Sequence, residues 1–431
     1  MATRKTLKTE YLIIGNSAGG IGAAEAIRET DKKNLITMVS DEPYPAYSRP
    51  LISEYLACER TVEEMLFRPA DFYSRNHIDL ILGKAAKNLD LAGRLAELDS
   101  GEKIAWKKLL LATGGIPIVP KMEGANKKGI FKFLTLDDAR EIDKYLKDYS
   151  RAVVIGGGLI GVSVSEALTK RGASVTIIEM KDRVLNTILD ERASALAERA
   201  ITEAGIRVIV NNTVAKVIGE NAVEGVVLDS GENIPCDLVV IAIGVLPRIE
   251  LVKGTDIEIN RGILVDRYMT TSHPDVYACG DAAEAYDFVI NANRLTPIWP
   301  NAYIGGRVAG YNMAGAKTEY HGGTAMNSVN YFGLDITSAG IVNPPNGNCE
   351  VLTRDMASLY QKVILSHGQI IGMVFVSDIE KSGMVFGLMR DRVDVSAFKQ
   401  ELLADDFGLA CMPEELRRER LGNVSLLVAK N

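Results

Sequence analysis

The sequence predicts an α/β protein built on two Rossmann-like dinucleotide-binding units, and three observations carry that expectation. Twice, a short apolar run ends in a glycine-rich turn, and each time a helical stretch and a second apolar run closing on an acid follow. The chain has 431 residues, more than one ordinary domain of about 100–200. Its apolar fraction of 47% and charged fraction of 24% are those of a globular protein with a substantial core.

The first unit opens with Tyr11-Leu12-Ile13-Ile14, an apolar run of the kind expected for a buried parallel strand. It runs into Gly15-Asn16-Ser17-Ala18-Gly19-Gly20, then a helical stretch from Ile21 to Glu29, then a strand from Leu35 to Val39 ending at Asp41-Glu42. Gly15 permits the tight turn, the second glycine position lets backbone approach a pyrophosphate, and Gly20 lets helix and strand pack closely. Free N–H groups at the helix start face the phosphates. Ser17 occupies the second glycine position, a departure tolerated because serine is small and can donate a hydrogen bond.

The second unit is more regular. Ala152-Val153-Val154-Ile155 leads into Gly156-Gly157-Gly158-Leu159-Ile160-Gly161, with Gly156, Gly158 and Gly161 at the three glycine positions. The helix runs to about Arg171 and Gly172 is its C-terminal stop. The strand Ser174 to Ile178 then ends at Glu179, where an acid binds a ribose 2′-hydroxyl and repels a 2′-phosphate. NADH is therefore favoured over NADPH, although Lys181 and Arg183 stand close enough to assist a phosphate. One glycine turn alone is as well explained by simple strand–helix packing; two complete units with terminal acids are not.

Other classes are excluded by composition. The net charge is −7 and no long basic tract offers a nucleic-acid surface. No apolar run approaches the roughly 20 residues that span a bilayer. The first ten residues are polar and lack a signal-type apolar segment, so a cytoplasmic location is expected. The five cysteines form no CxxC or CxxxxC pair, hence no zinc or iron–sulfur ligand set, and no metal is expected.

Three later segments complete the pattern. Leu109-Leu110-Leu111-Ala112-Thr113-Gly114-Gly115 is a buried strand ending in an Ala-Thr-Gly turn. Val239-Val240-Ile241-Ala242-Ile243-Gly244-Val245-Leu246-Pro247-Arg248 repeats it after the second unit. Val276-Tyr277-Ala278-Cys279-Gly280-Asp281 is a strand ending in Gly-Asp. With these motifs in this order, essentially the whole chain resembles the FAD- and NAD(P)-dependent pyridine nucleotide oxidoreductases. Within them it is most similar to the NADH:rubredoxin reductase and nitrite-reductase flavin-domain branch.

The resemblance implies FAD on the first unit and NADH on the second. Gly15, Ser17 and Gly20 would surround the FAD pyrophosphate, and Asp41 or Glu42 would hold its ribose. Thr113, Gly114 and Gly280 would lie beside the FAD, with Asp281 bonding its ribityl or pyrophosphate part or serving as a helix N-cap. Tyr47-Ser48-Arg49-Pro50 would sit beside the isoalloxazine, with Arg49 as the catalytic cation that stabilises reduced flavin, or else as a surface arginine. Trp299 would edge the flavin or fill the core. Gly156, Gly158, Gly161, Glu179 and Gly244 would serve NADH.

Departures from the family are informative. Where disulfide reductases carry CxxxxC and NADH oxidases or peroxidases one cysteine, this chain has Ala46-Tyr47-Ser48-Arg49. Cys58 is expected to pack within a helix, and His273 before Pro274 to serve a turn. Lys108 replaces a frequent aspartate, and Ser163 a frequent glutamate, for which Glu166 is a substitute or a plain solvated acid.

The resemblance also implies interleaved domains: FAD on residues 1–120 and 245–320, NADH on 121–244, and an α+β interface domain, sometimes at a dimer, on 321–431. In the last, Val329–Gly333, Ile336–Ile341 and Gln369–Val376 read as strands, Asn343-Pro344-Pro345-Asn346-Gly347 as a turn and Pro413–Leu421 as an exposed helix. The expected activity is NADH oxidation through flavin to a small iron protein, rubredoxin or ferredoxin. A flavin subunit of a larger redox complex and an NADH oxidase, peroxide or disulfide reductase are the competing expectations.

Overall fold

The computed structural model of the chain describes residues 6–345, 347 and 349–428. The polar Met1–Lys5 start and Asn346 of the expected turn lie outside the described residues. By their internal contacts the residues form two units, 1–178 with 213–324, and 179–212 with 325–431.

In the first unit Tyr11–Ile14 is the middle of a five-stranded parallel sheet. Its order is Val276–Ala278, Lys108–Leu111, Tyr11–Ile14, Ile36–Val39, Ile78–Ile81. Tyr11 pairs with Ile36 on one side and Lys108 on the other. Leu12, Ile13, Leu109, Leu110 and Leu111 are wholly buried, as uninterrupted apolar runs must be when both sheet faces are covered. The helix after the first glycine turn spans Ala18–Thr30 and so begins three residues earlier than expected, because Gly19 and Gly20 are part of its first turn.

The helix Trp299–Met313 packs across it through glycines. A Cβ on Gly306 would lie 2.0 Å from the Gly19 carbonyl oxygen, and one on Gly310 2.4 Å from that of Ala23. Four residues apart, these two share one helix face, and their missing side chains let the two backbones touch.

The chain leaves the first sheet through Gly115–Pro117 and returns through Val245–Pro247, and these segments pair antiparallel, Gly115 opposite Pro247. Between them lies a second run of parallel strands, Ile130–Lys132, Leu238–Ile241, Arg151–Ile155 and Ser174–Ile178 in that spatial order. A three-stranded antiparallel sheet, Val214–Ile218, Gly225–Leu228 and Asn233–Pro235, accompanies it. The helix Leu159–Lys170 stops before Gly172, which takes the left-handed φ of +80° expected of a helix stop. The two Rossmann-like sheets are thus those the glycine motifs predict.

The second unit holds the helix Glu191–Glu203 and a five-stranded antiparallel sheet. Its order is Met326–Tyr331, Leu334–Gly340, Gln369–Val376, Tyr360–Ser366, Glu350–Asp355. The expected core strand Gln369–Val376 is central, with Met373 to Val376 fully buried. The helix Ser382–Arg390 packs on it, and the expected C-terminal helix covers Glu414–Val428.

Two smaller expectations come out differently. Cys58 is exposed rather than packed; it follows the short helix Ile52–Leu56 and adopts a left-handed φ of +59°. Local helical pattern extends past Leu56, but the chain turns there before Arg60. His273 does sit in a turn, where its N–H meets Thr271 Oγ1 at 3.2 Å. No helix among the described residues is long and apolar enough to cross a membrane, and no group of three or more His, Cys, Asp or Glu there could hold a metal.

Candidate cofactor site and active site

The first glycine loop is shaped by backbone crowding on one side and open space on the other. A Cβ on Gly15, whose φ is +123°, would lie 2.0 Å from the Ala112 carbonyl oxygen, and one on Gly20 2.0 Å from that of Gly15. Ser17 is the extended N-cap of the following helix, and its side chain makes no cap bond. The hydroxyl and the first helical N–H groups are therefore left for an anion, as an unfinished helix start provides. Asn16 steadies the loop by accepting the Tyr73 hydroxyl at 2.8 Å and donating to the Tyr44 carbonyl at 3.3 Å.

The two acids after the next strand point to different partners. Asp41 pairs with Arg248, the residue just after the strand Val245–Pro247, and both are well exposed. Glu42 is more enclosed and pairs with Arg49 and with the Tyr47 hydroxyl, the latter at 2.6 Å. Burial above all, with the Glu42 charge, pushes the Tyr47 hydroxyl up against the pull of Arg49, so it stays protonated and donates. Arg49 also donates to the Leu134 carbonyl at 3.2 Å, and the Leu136 N–H donates to Tyr47 at 2.9 Å. The Tyr-Ser-Arg-Pro segment is thus tied to the start of the helix Leu136–Tyr145; Pro50, in the first turn of the short Arg49–Leu51 helix, fixes its bend.

Burial works against the Arg49 charge, but Tyr47, Glu42 and Asp41 outweigh it and hold the guanidinium above its ordinary range. Asp281 is the complementary group. Burial pushes its carboxyl up, with only the Arg49 charge pulling the other way, and no hydrogen bond to it occurs among the described residues. It is not a helix N-cap: it lies inside the three-residue turn Gly280–Ala282, after which the chain forms a strand. Gly280 takes a φ of +72°, with Ala302 3.4 Å from where its Cβ would be.

Thr113 donates to the Arg248 carbonyl at 2.7 Å, and Gly114, at φ +71°, has nothing within 4 Å of a Cβ position. Trp299 is the first residue of its helix, half-buried, and its ring meets Phe67 edge-on at 5.1 Å. It is therefore not a wholly enclosed core residue. An open loop, a half-buried carboxylate with no hydrogen bond among the described residues and a fixed cation fit a bound FAD.

The second glycine loop repeats the geometry. A Cβ on Gly156, at φ +107°, would lie 2.4 Å from the Ala242 carbonyl oxygen, and one on Gly161 1.9 Å from that of Gly156. Gly158, the extended N-cap, has nothing within 4 Å and leaves room for a pyrophosphate. Gly244 takes a φ of +112° where Ile118 donates to its carbonyl. Glu179 is buried and its Oε1 accepts the Lys181 N–H at 2.8 Å; Arg183 pairs with Asp182 at 2.7 Å. Of the other departures, Lys108 pairs with Asp275 and Glu166 with Lys170 at 3.5 Å.

Sequence reasoning missed Arg248 as the partner of Asp41 and Glu42 as the partner of Arg49; neither pairing leaves a local pattern. It also missed Cys279. This thiol is buried against Gly19, where a Cβ would stand 2.7 Å from its sulfur, and burial pushes it up to about 12.

A chain with two Rossmann-like sheets, each presenting an open glycine loop, is a two-dinucleotide oxidoreductase. The pyridine nucleotide-disulphide oxidoreductase family matches over residues 9–296, and the rubredoxin NAD+ reductase C-terminal domain over 326–393. The chain belongs to the pyridine nucleotide-disulphide oxidoreductase family and is an FAD-dependent NADH oxidoreductase.

It is 32% identical to NADH-dependent phenylglyoxylate dehydrogenase subunit epsilon of Aromatoleum evansii, over 92% of this chain and 95% of that one. Against nitrite reductase [NAD(P)H] of Bacillus subtilis it is 29% identical over 90% of its own length but only 48% of the relative's, so it spans about half of that protein. The crystal structure of NADH:rubredoxin oxidoreductase from Clostridium acetobutylicum superimposes with a TM-score of 0.75 at 28% identity, covering 90% of this chain and 97% of that one.

Proposed function

We propose that this chain takes electrons from NADH and passes them, through bound FAD, to a small iron protein of the rubredoxin or ferredoxin type. Residues 1–120 and 245–320 hold FAD, residues 121–244 hold NADH, and residues 321–431 form the interface domain. Bound FAD supplies hydride acceptance and single-electron release. The residues supply placement and charge. The Gly15–Gly20 loop holds the FAD pyrophosphate and the Gly156–Gly161 loop that of NADH. Glu179 takes the ribose hydroxyls and disfavours NADPH, and Arg49 offers positive charge to the ring edge that becomes anionic on reduction.

The observation that carries the choice of acceptor is the state of Cys279. It is the cysteine beside the flavin turn, yet it is buried and its thiol is pushed up to about 12. Kept protonated, it is a poor thiolate nucleophile, which favours direct transfer from flavin to an outside acceptor over a disulfide relay. The likeness of residues 326–393 to a rubredoxin reductase C-terminal domain supports the same reading.

A second reading, an electron-transfer subunit of a larger complex, is favoured by the Aromatoleum evansii relative, a named subunit of which this chain covers 95%. Anaerobic stopped-flow reduction by NADH and NADPH, followed by mixing with rubredoxin, ferredoxin or oxygen, tests the first. Reoxidation fastest by an iron protein supports it, and reoxidation only by oxygen or a disulfide overturns it. Firm capture of another redox subunit by the tagged chain favours the second.

A further inference from the structure

In the second unit, the segment that continues from the NADH strand is locked to the C-terminal sheet by a buried polar cluster. Asp190 caps the helix Glu191–Glu203, its Oδ1 accepting the Ala193 N–H at 3.0 Å. Its other oxygen accepts the Tyr360 hydroxyl at 2.7 Å and Lys362 Nζ at 2.8 Å, and Lys362 donates again to the Val342 carbonyl at 3.0 Å. All three side chains are buried. Around them Asn343 donates to the Leu189 carbonyl at 3.3 Å, and Arg192 reaches Asp355 at 2.8 Å and the Met356 carbonyl at 2.8 Å.

A buried ion pair stabilises little relative to apolar packing; its particular effect is on geometry, because each charge must keep its partners or stand desolvated alone. Here the geometry so set is that of the loop between Glu179 and Asp190. At its middle Ser194 donates to the Val184 carbonyl at 2.8 Å, so the helix that Asp190 caps also holds the loop. At its near end the Lys181 N–H is bonded to Glu179, and the Asn211 and Asn212 N–H groups to the Lys181 and Glu179 carbonyls. The loop is thus tied at Glu179, at Asn211, at Asn343 and at the capped helix.

We propose that Lys362 and Tyr360 are positioning residues for NADH: through Asp190, the C-terminal sheet sets the loop that carries Glu179. The inference rests on Glu179 as the ribose-binding acid of the proposed function.

The test uses the full-length, FAD-loaded protein. Lys362→Met is expected to raise the KM for NADH about tenfold, with flavin content and the limiting rate of flavin reduction within about twofold of the parent. Lys362→Arg, which keeps the charge, is expected to recover most of the loss. Tyr360→Phe removes one hydrogen bond and serves if Lys362→Met fails to fold; its expected rise is about two- to fivefold. An unchanged KM in a folded Lys362→Met or Tyr360→Phe protein overturns the proposal. Glu179→Ala is measured alongside. If it raises KM while the Lys362 and Tyr360 variants do not, the positioning role alone fails; if none raises KM, the ribose assignment fails as well.

Discussion

Gly20 and Gly161 occupy equivalent positions in the two dinucleotide loops, and each faces a backbone carbonyl at a distance no Cβ tolerates, 2.0 and 1.9 Å. Overpacking of this kind costs about 1–3 kcal/mol where neighbours can shift, and here the neighbour is the backbone of the tight turn itself rather than a flexible side chain. Substituting each separates the two sites. Gly161→Val is expected to purify yellow and bleach with dithionite while losing reduction by NADH. Gly20→Val is expected to lose FAD itself; flavin absorbance and stopped-flow reduction read both. Arg49 sits between Glu42, Tyr47 and the Leu134 carbonyl, within electrostatic reach of Asp281. Arg49→Gln is expected to make the flavin midpoint potential more negative and to slow reduction by NADH about tenfold or more, since a fixed charge near developing anion is removed. An unchanged potential would return Arg49 to a purely structural role.

The helix Leu136–Tyr145 begins with a capping box: Thr135 Oγ1 accepts the Asp138 N–H at 3.1 Å, and Asp138 accepts the Thr135 N–H at 2.8 Å. Thr135→Ala is expected to cost about 1 kcal/mol in denaturant unfolding. Because Tyr47 and Arg49 bond to Leu136 and Leu134 at this start, the same variant should loosen their segment, seen as faster proteolysis near residue 47. The crossing of the helices Ala18–Thr30 and Trp299–Met313 shows a different kind of element logic. Glycines at 306 and 310 are poor helix formers, each about 1 kcal/mol worse than alanine, yet only their absent side chains allow the backbones to meet. That crossing places Ala302 against Gly280, and so sets the turn that carries Asp281.

Across the molecule, the thiols report burial. Cys58 is exposed and Cys349 and Cys411 are partly so, whereas Cys236 and Cys279 are buried and burial pushes both up from 9.0 to about 12. An aromatic disulfide reagent at neutral pH should titrate the first three in the native protein and the other two only after denaturation. The linkage has a definite sign. Between pH 9.0 and about 12 the unfolded chain ionises these two thiols and the folded one does not, so stability present below pH 9.0 is lost as pH rises through that window. Urea midpoints measured from pH 8 upward, in the parent and in Cys236→Ser, check it; a parallel decline in both would assign the loss elsewhere.

Much of this architecture can be read along the chain, because a dinucleotide loop is a local object. Gly15, Gly20, Gly156 and Gly161 lie within six residues of the strands they follow, and their spacing already specifies a tight turn, an open N-terminus and a close helix. The apolar runs at 11–14, 109–111 and 238–241 mark buried parallel strands for the same reason: both faces are covered, so no alternation survives. Other features depend on how the chain packs rather than on its local pattern. Asp41 meets Arg248, Glu42 is shared by Tyr47 and Arg49, and Cys58 turns outward where a helix was expected. Asp190 finds Lys362 across 172 residues. Backbone periodicity and steric permission are properties of neighbouring residues and can be read in order. The partner of a charge is settled by which surfaces pack together, and that packing exists only once the sheets have formed.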